Sequence, residues 1–257
     1  MKPKKTRKPE ALVRAIYRKL VRAWGRQHWW PAETPCEVIV GAVLTQNTSW
    51  TNVERALTRL RSAGILNLAG IREIPLAKLQ ELVRSSGYYR QKAERLKNFV
   101  AFLDAKYDGS LEQMFTTATR QLRAELLALK GIGPETADAI LLYAGNHEIF
   151  VVDAYTRRIL ERHEAIGTVA KYDQIRELME RALEDEVPGS PLFDGASRSP
   201  QPQPHAASAM SQAQRSPRTQ IYNEMHGLLV QAGKHYCYKQ KPDCEGCPLR
   251  NLLPNVH

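Results

Sequence analysis

Two observations predict an all-α protein. Apolar residues recur at helical spacing through most of the chain, and the only short apolar run without that spacing is Ile149-Phe150-Val151-Val152. The first helix spans Pro9 to Arg26, with Leu12, Ile16, Leu20 and Trp24 on one stripe. An aromatic patch, Gln27-His28-Trp29-Trp30-Pro31, leads into a turn, and Pro35 to Leu44 is an apolar helix. The polar cluster Thr45-Gln46-Asn47-Thr48-Ser49-Trp50 reads as a loop, followed by a helix from Asn52 to Ala63 that stops at Gly64. Two more helices, Pro75 to Arg84 and Lys92 to Lys106, flank Ser85-Ser86-Gly87-Tyr88-Tyr89-Arg90. Later helices span Tyr172 to Glu186 and roughly Thr219 to Lys234. Between them, 187–217 is rich in Pro, Ser, Gln and Ala, and most of it is expected to be disordered.

The stretch from Leu126 to Leu160 organises the rest. Leu122, Leu126 and Leu129 end one helix, and Ala137, Ile140, Leu141 and Ala144 belong to the next. Between them, Gly131 and Gly133 permit a tight turn, and Pro134 suits the first turn of a helix. The backbone amides of Gly131, Ile132 and Gly133 can therefore approach a phosphate closely. Alone, such a hairpin is an ordinary helix connection. Past the apolar run, Asp153 opens a helix carrying Arg157 and Arg158, where an aspartate ordinarily serves as an N-cap.

Hairpin, second helix and Val151-Val152-Asp153-Ala154-Tyr155-Thr156-Arg157-Arg158-Ile159 together resemble the helix-hairpin-helix (HhH-GPD) DNA glycosylases of the endonuclease III superfamily. The resemblance makes Asp153 the catalytic acid. Bifunctional members carry a lysine two residues after the second hairpin glycine, where it forms a Schiff base with the sugar. This chain has Glu135 there, and a carboxylate forms no Schiff base. The resemblance implies an all-α fold of two lobes with the active site in the cleft between them. One lobe spans 35–144 and includes the helix-hairpin-helix at about 121–144. The other joins 1–34 to 150–257.

A narrower resemblance is to the monofunctional 3-methyladenine DNA glycosylase III branch, carried by Trp29-Trp30-Pro31-Ala32 and Gly41 to Trp50. That branch also has a glutamate at the Glu135 position. It implies a base pocket in which Trp29 and Trp50 stack on the damaged base, Trp30 and Pro31 shape the wall, and Glu135 is a lining or surface residue. Stacking on an aromatic ring is worth about 1–3 kcal/mol per base, and a cationic ring gains more over indole. The alternative is that the tryptophans are core residues, the preferred reading for Trp24. The family pattern also implies that Gln46 fills the gap left by an everted base and that Tyr88 wedges into the opposite strand; a tyrosine packing a helix junction is the alternative for Tyr88. Arg90, Lys92 and Arg95 then face phosphates or form a solvated basic face.

The charge balance agrees with a polyanionic partner: 37 Lys and Arg outnumber 27 Asp and Glu, giving +10. The partner expected is duplex DNA containing damaged bases, with the protein a monomer. No apolar run approaches a membrane span, and no secretory segment follows the basic N-terminus. Three of four cysteines cluster near the C-terminus, unlike a secreted disulfide framework, so an intracellular, cytoplasmic location is expected. Their spacing, Cys237-x6-Cys244-x2-Cys247, resembles the first three ligands of the family's iron–sulfur loop, but the fourth position is Leu253. A vestigial loop, a cluster with an unusual fourth ligand, and zinc completed by His235 or His257 all remain open, and no cofactor is expected to be needed for catalysis.

The expected activity is hydrolysis of the N-glycosidic bond of a damaged purine such as 3-methyladenine, without strand cleavage. Two alternatives are an endonuclease III-like glycosylase for oxidised pyrimidines or mismatches, and a non-catalytic DNA-binding module. Asp153 speaks against the second, because phosphate binding needs no acid there.

Overall fold

A computed structural model describes residues 8–186 and 205–254, and among these every regular element is helical. The α-helices are α1 (Pro9–Trp24), α2 (Pro35–Leu44), α3 (Trp50–Ser62), α4 (Leu68–Glu73), α5 (Leu76–Leu82), α6 (Tyr89–Tyr107) and α7 (Leu111–Phe115). They continue with α8 (Thr119–Ala128), α9 (Pro134–Ala139), α10 (Ala154–Arg162), α11 (Tyr172–Leu183), α12 (Ala209–Gln212) and α13 (Pro217–His235). None of the described helices is long and apolar enough to cross a membrane. The chain divides into two units, one of Met1–Pro31 with Glu148–His257, the other of Ala32–His147.

In the 32–147 unit, α2 is the central helix. All its residues after Pro35 are buried, Glu37 included, and it packs against α3, α6, α9 and the π-helical turn Ile140–Ala144. Thr34 caps it by accepting from the Glu37 amide at 3.1 Å. The two helices of the hairpin are tied by a forked ion pair. Arg123 on α8 donates through Nε to Asp138 Oδ1 at 2.6 Å and through a terminal nitrogen to Oδ2 at 3.1 Å. Asp138 is wholly buried and the Arg123 side chain nearly so. Lys92 was expected among phosphate-facing cations, and the structure corrects this. Its side chain is fully buried, and Nζ donates to the carbonyls of Leu44 at 2.9 Å and Ser86 at 2.6 Å. It ties α6 to the end of α2 and to the loop before Tyr88. Burial lowers its pKa to about 8.

In the other unit, α1 packs on α11 and α13, and α10 packs on α13. The apolar run Ile149 to Val152 is buried, and not in a sheet. Two of its amides find side chains instead: Phe150 N donates to Glu180 Oε1 at 3.0 Å and Val152 N to the Tyr172 hydroxyl at 3.2 Å. Trp24 is a core residue, stacked on Tyr236 with ring centroids 5.8 Å apart.

Three elements differ from the sequence reading. Helices α4 and α7 have six and five residues, too few turns to show an apolar stripe. The disorder expected over 187–217 does not hold for 205–217: Ser208 and Ser211 cap α12 reciprocally, Met210 is buried, and α13 already starts at Pro217. Ser208 Oγ also donates to the Trp30 carbonyl at 3.2 Å. A few docked residues escape a composition rule averaged over thirty. Residues 187–204 lie outside the described residues.

Two ion pairs of the 32–147 unit, Arg123–Asp138 and Arg72–Asp104, separate burial from exposure. Asp138→Ala removes the buried carboxylate from this pair and is expected to cost about 3 kcal/mol, read from the urea midpoint. Arg72→Ala removes an exposed pair with Asp104, at 2.7–2.8 Å, and is expected to cost under about 1 kcal/mol in the same assay.

Candidate active site

Asp153 sits where an extended, buried segment meets α10. Its Oδ1 accepts the Thr156 amide at 2.7 Å, so it is the N-cap that its position suggests. The cap uses one oxygen. The other, Oδ2, lies 3.7 Å from His226 Nε2 on α13, and the Asp153 side chain keeps 13 % of its surface exposed. His226 is buried against Phe150, edge to face at 6.3 Å, and against Trp29 at 6.4 Å. The sequence reading missed His226. Its one signal was a histidine inside an apolar helical stretch, Met225-His226-Gly227-Leu228, which alone reads as a core residue.

Trp29 and Trp30 belong to the same unit as Asp153, and both are buried. Trp29 lies 5.1 Å from Trp30 and 5.4 Å from His205 by ring centroids, with Lys234 Nζ 5.7 Å from its ring. These neighbours leave 6 % of Trp29 exposed. Pro31 is half-buried beside them in sequence. The approach of α13 depends on Gly227, where an added Cβ would lie 2.9 Å from Trp29 Cβ. Trp29 and Gln27 thus meet at Gly227 the turn of α13 whose His226 faces Asp153.

The 32–147 unit carries the hairpin. Gly131 has φ +87°, the left-handed region, and an added Cβ there would meet the Arg95 side chain. Gly133 has ordinary extended backbone and caps α9, with Pro134 in its first turn. Ile132 is buried between them, its amide donating to the Leu129 carbonyl at 3.0 Å. Gln46 does not project freely: Nε2 donates to the Gly131 carbonyl and to Thr136 Oγ1, each at 2.9 Å, and Oε1 accepts from Arg95. Arg95 is therefore a hairpin partner as well as a surface cation. Glu135 is exposed on the first turn of α9. Trp50 is half-buried at the start of α3, its indole N–H donating to Glu54 at 2.7 Å. Tyr88, with φ +44°, caps α6 and is 66 % exposed, so it fills no helix junction.

The C-terminal loop is held by arginines of α10. Arg158 Nε donates to the Cys237 carbonyl at 2.6 Å, and Arg162 donates to Cys237 Sγ at 3.0 Å. Cys237, Cys244, Cys247, His163 and Leu253 line one small cavity. Burial pushes the Cys247 thiol up to about 11. Among the described residues no group of three or more His, Cys, Asp or Glu is placed to hold a metal ion. His235 does not line this cavity, and His257 lies outside the described residues. Three thiols and a leucine do not fit a four-thiolate cluster.

A helix-hairpin-helix followed by an aspartate-capped helix defines a base-excision glycosylase class, and the chain belongs to it. Residues 40–185 match the HhH-GPD superfamily of base excision DNA repair proteins. A Methanocaldococcus jannaschii protein, provisionally named a DNA repair glycosylase, is 42% identical over 94% of this chain and 95% of its own length. The endonuclease III of Thermotoga maritima is 27% identical over 93% of this chain and 91% of its length. The solved structure of H. pylori 3-methyladenine DNA glycosylase, bound to 1,N6-ethenoadenine, superposes with a TM-score of 0.68 at 30% identity. It covers 89% of this chain and 98% of that one.

The two hairpin glycines should answer differently to alanine. Gly131→Ala forces a side chain into left-handed backbone and is expected to cost about 1–2 kcal/mol in thermal unfolding. Gly133→Ala meets open space at ordinary φ and is expected to stay within about 0.5 kcal/mol of the parent.

Proposed function

We propose that this protein removes alkylated purines from duplex DNA by hydrolysis and leaves the strand uncut. The observation that carries the reading is Asp153: a carboxylate fixed at a helix start, one oxygen committed to the cap and the side chain still partly open. Support for the missing lyase step comes from Glu135, which stands on the first turn of α9 in place of an amine. Support for the substrate comes from the likeness to the 3-methyladenine enzyme and from the half-buried Trp50, whereas Trp29 and Trp30 are packed as core residues.

The chemistry asks little of the protein beyond electrostatics. An N3- or N7-alkylated purine departs as a neutral base, so the C1′–N bond breaks with its electron pair going to the base and needs no strong acid. The sugar is left cationic. The Asp153 carboxylate lies against that charge and takes the proton from the water that attacks C1′. The products are a free base and an abasic site. Of the three hairpin amides expected at a phosphate, that of Ile132 is spent on the Leu129 carbonyl, so those of Gly131 and Gly133 hold the backbone phosphate, and the Gln46 and Tyr88 side chains stabilise the distorted duplex.

Asp153→Asn separates charge from fold, because asparagine caps a helix as well as aspartate. Duplexes carrying 3-methyladenine, 1,N6-ethenoadenine or an oxidised pyrimidine are incubated with each protein, then resolved with and without alkali. Strand breaks only after alkali are expected for the parent, faster from 3-methyladenine than from 1,N6-ethenoadenine, which is uncharged and must gain a proton to leave as a neutral base. Asp153→Asn should melt at the parent temperature, bind DNA equally, and lose at least about a hundredfold in release. Breaks without alkali, or release confined to the pyrimidine lesion, contradict the reading.

A further inference from the structure

The two oxygens of Asp153 have different surroundings. Oδ1 accepts the Thr156 amide at 2.7 Å, while Oδ2 faces Nε2 of His226 at 3.7 Å. His226 comes from α13, far along the chain, and its orientation is set by its packing. Phe150, three residues before Asp153, meets its ring edge to face, and Trp29 lies against it at 6.4 Å. Gly227 lets this turn of α13 come within contact of Trp29 Cβ. A buried imidazole so placed has little rotational freedom, and the carboxylate is the charged group it addresses.

We propose that His226 is a positioning residue for Asp153, its neutral ring carrying the proton on Nε2 and holding Oδ2 in place while Thr156 holds Oδ1. This rests on the reading of Asp153 as the catalytic carboxylate. Burial lowers the His226 pKa, against the smaller opposing pull of the Asp153 charge, which keeps the ring neutral at neutral pH. The distance is too long for a hydrogen bond as it stands, and contacts of this kind tighten when substrate is bound. Fixing both oxygens leaves the carboxylate one orientation toward the sugar. Releasing one lets it turn about its bond to Cβ as far as the cap allows.

The test uses His226→Leu and His226→Gln in the full chain, glutamine placing an amide N–H near the former Nε2. Single-turnover release is measured at saturating duplex, and duplex affinity separately. The leucine variant is expected to lose about a hundredfold in rate with unchanged affinity, since a displacement of about 1 Å costs that much, and glutamine should recover most of it. Parental rate in the leucine variant, or equal losses in both variants, overturns the proposal. A second measurement does not depend on activity or on the leucine variant folding. With ring-15N histidine, the His226 Nε2 resonance of the parent should be that of a protonated, neutral ring nitrogen and should move in Asp153→Asn. An unmoved Nε2, or a proton on Nδ1, overturns the positioning role even if the glycosylase reading stands. Loss of release in Asp153→Asn without that movement leaves the glycosylase intact and removes only His226.

Discussion

Asp153 Oδ1 accepts the Thr156 amide, and the chemistry proposed for this chain depends on that bond. A side chain that caps a helix is fixed at its root: backbone extended, carboxylate turned over the first helical turn. The buried segment Ile149 to Val152 enters at a fixed place because Glu180 and Tyr172 take up its amides. Acid, cap and support are one construction. The structural role of Asp153 and the catalytic one proposed for it use different oxygens.

The hairpin is stiffened by comparable means. Arg123 and Asp138 lock α8 to α9 from the buried side, and Gln46, Arg95 and Thr136 close over Gly131 from the other. Gln46 is thus committed to the hairpin carbonyl, which couples the loop after α2 to the proposed phosphate-binding turn. For Gln46 to fill a gap in DNA it must trade these bonds for others of the same kind. The bond to the Gly131 carbonyl is exposed and contributes about 1 kcal/mol net, whereas those with Thr136 and the Arg95 guanidinium are partly buried, so the exchange needs partners of equal quality in the DNA.

Much of this was legible in the sequence, because helices announce themselves by spacing. Leu12, Ile16 and Leu20 or Ile175, Leu178 and Met179 define faces that only a helix can bury. The hairpin was legible because two glycines and a proline leave the backbone few options, and Asp153 was legible as the N-cap it is, its catalytic reading coming from the family resemblance. Long-range partners were not legible. Nothing near Asp153 in sequence names His226, and nothing near Gln46 names Arg95. Lys92 looked like any lysine at the start of a basic helix, and α6 instead carries it under the Leu44 and Ser86 carbonyls. Ser208 and Met210 were hidden in a polar stretch whose average composition argued against order.

The central claim is that a carboxylate at Asp153 stabilises positive charge on the sugar. A duplex carrying a cationic pyrrolidine in place of the deoxyribose, compared with a neutral tetrahydrofuran, presents that charge without any bond being broken. The account predicts that the parent binds the cationic duplex at least about a hundredfold more tightly, as enzymes bind transition-state mimics. It predicts further that the preference collapses in Asp153→Asn while affinity for the neutral duplex holds. Equal affinity of the parent for the two duplexes, or a preference that survives loss of the charge, would contradict it.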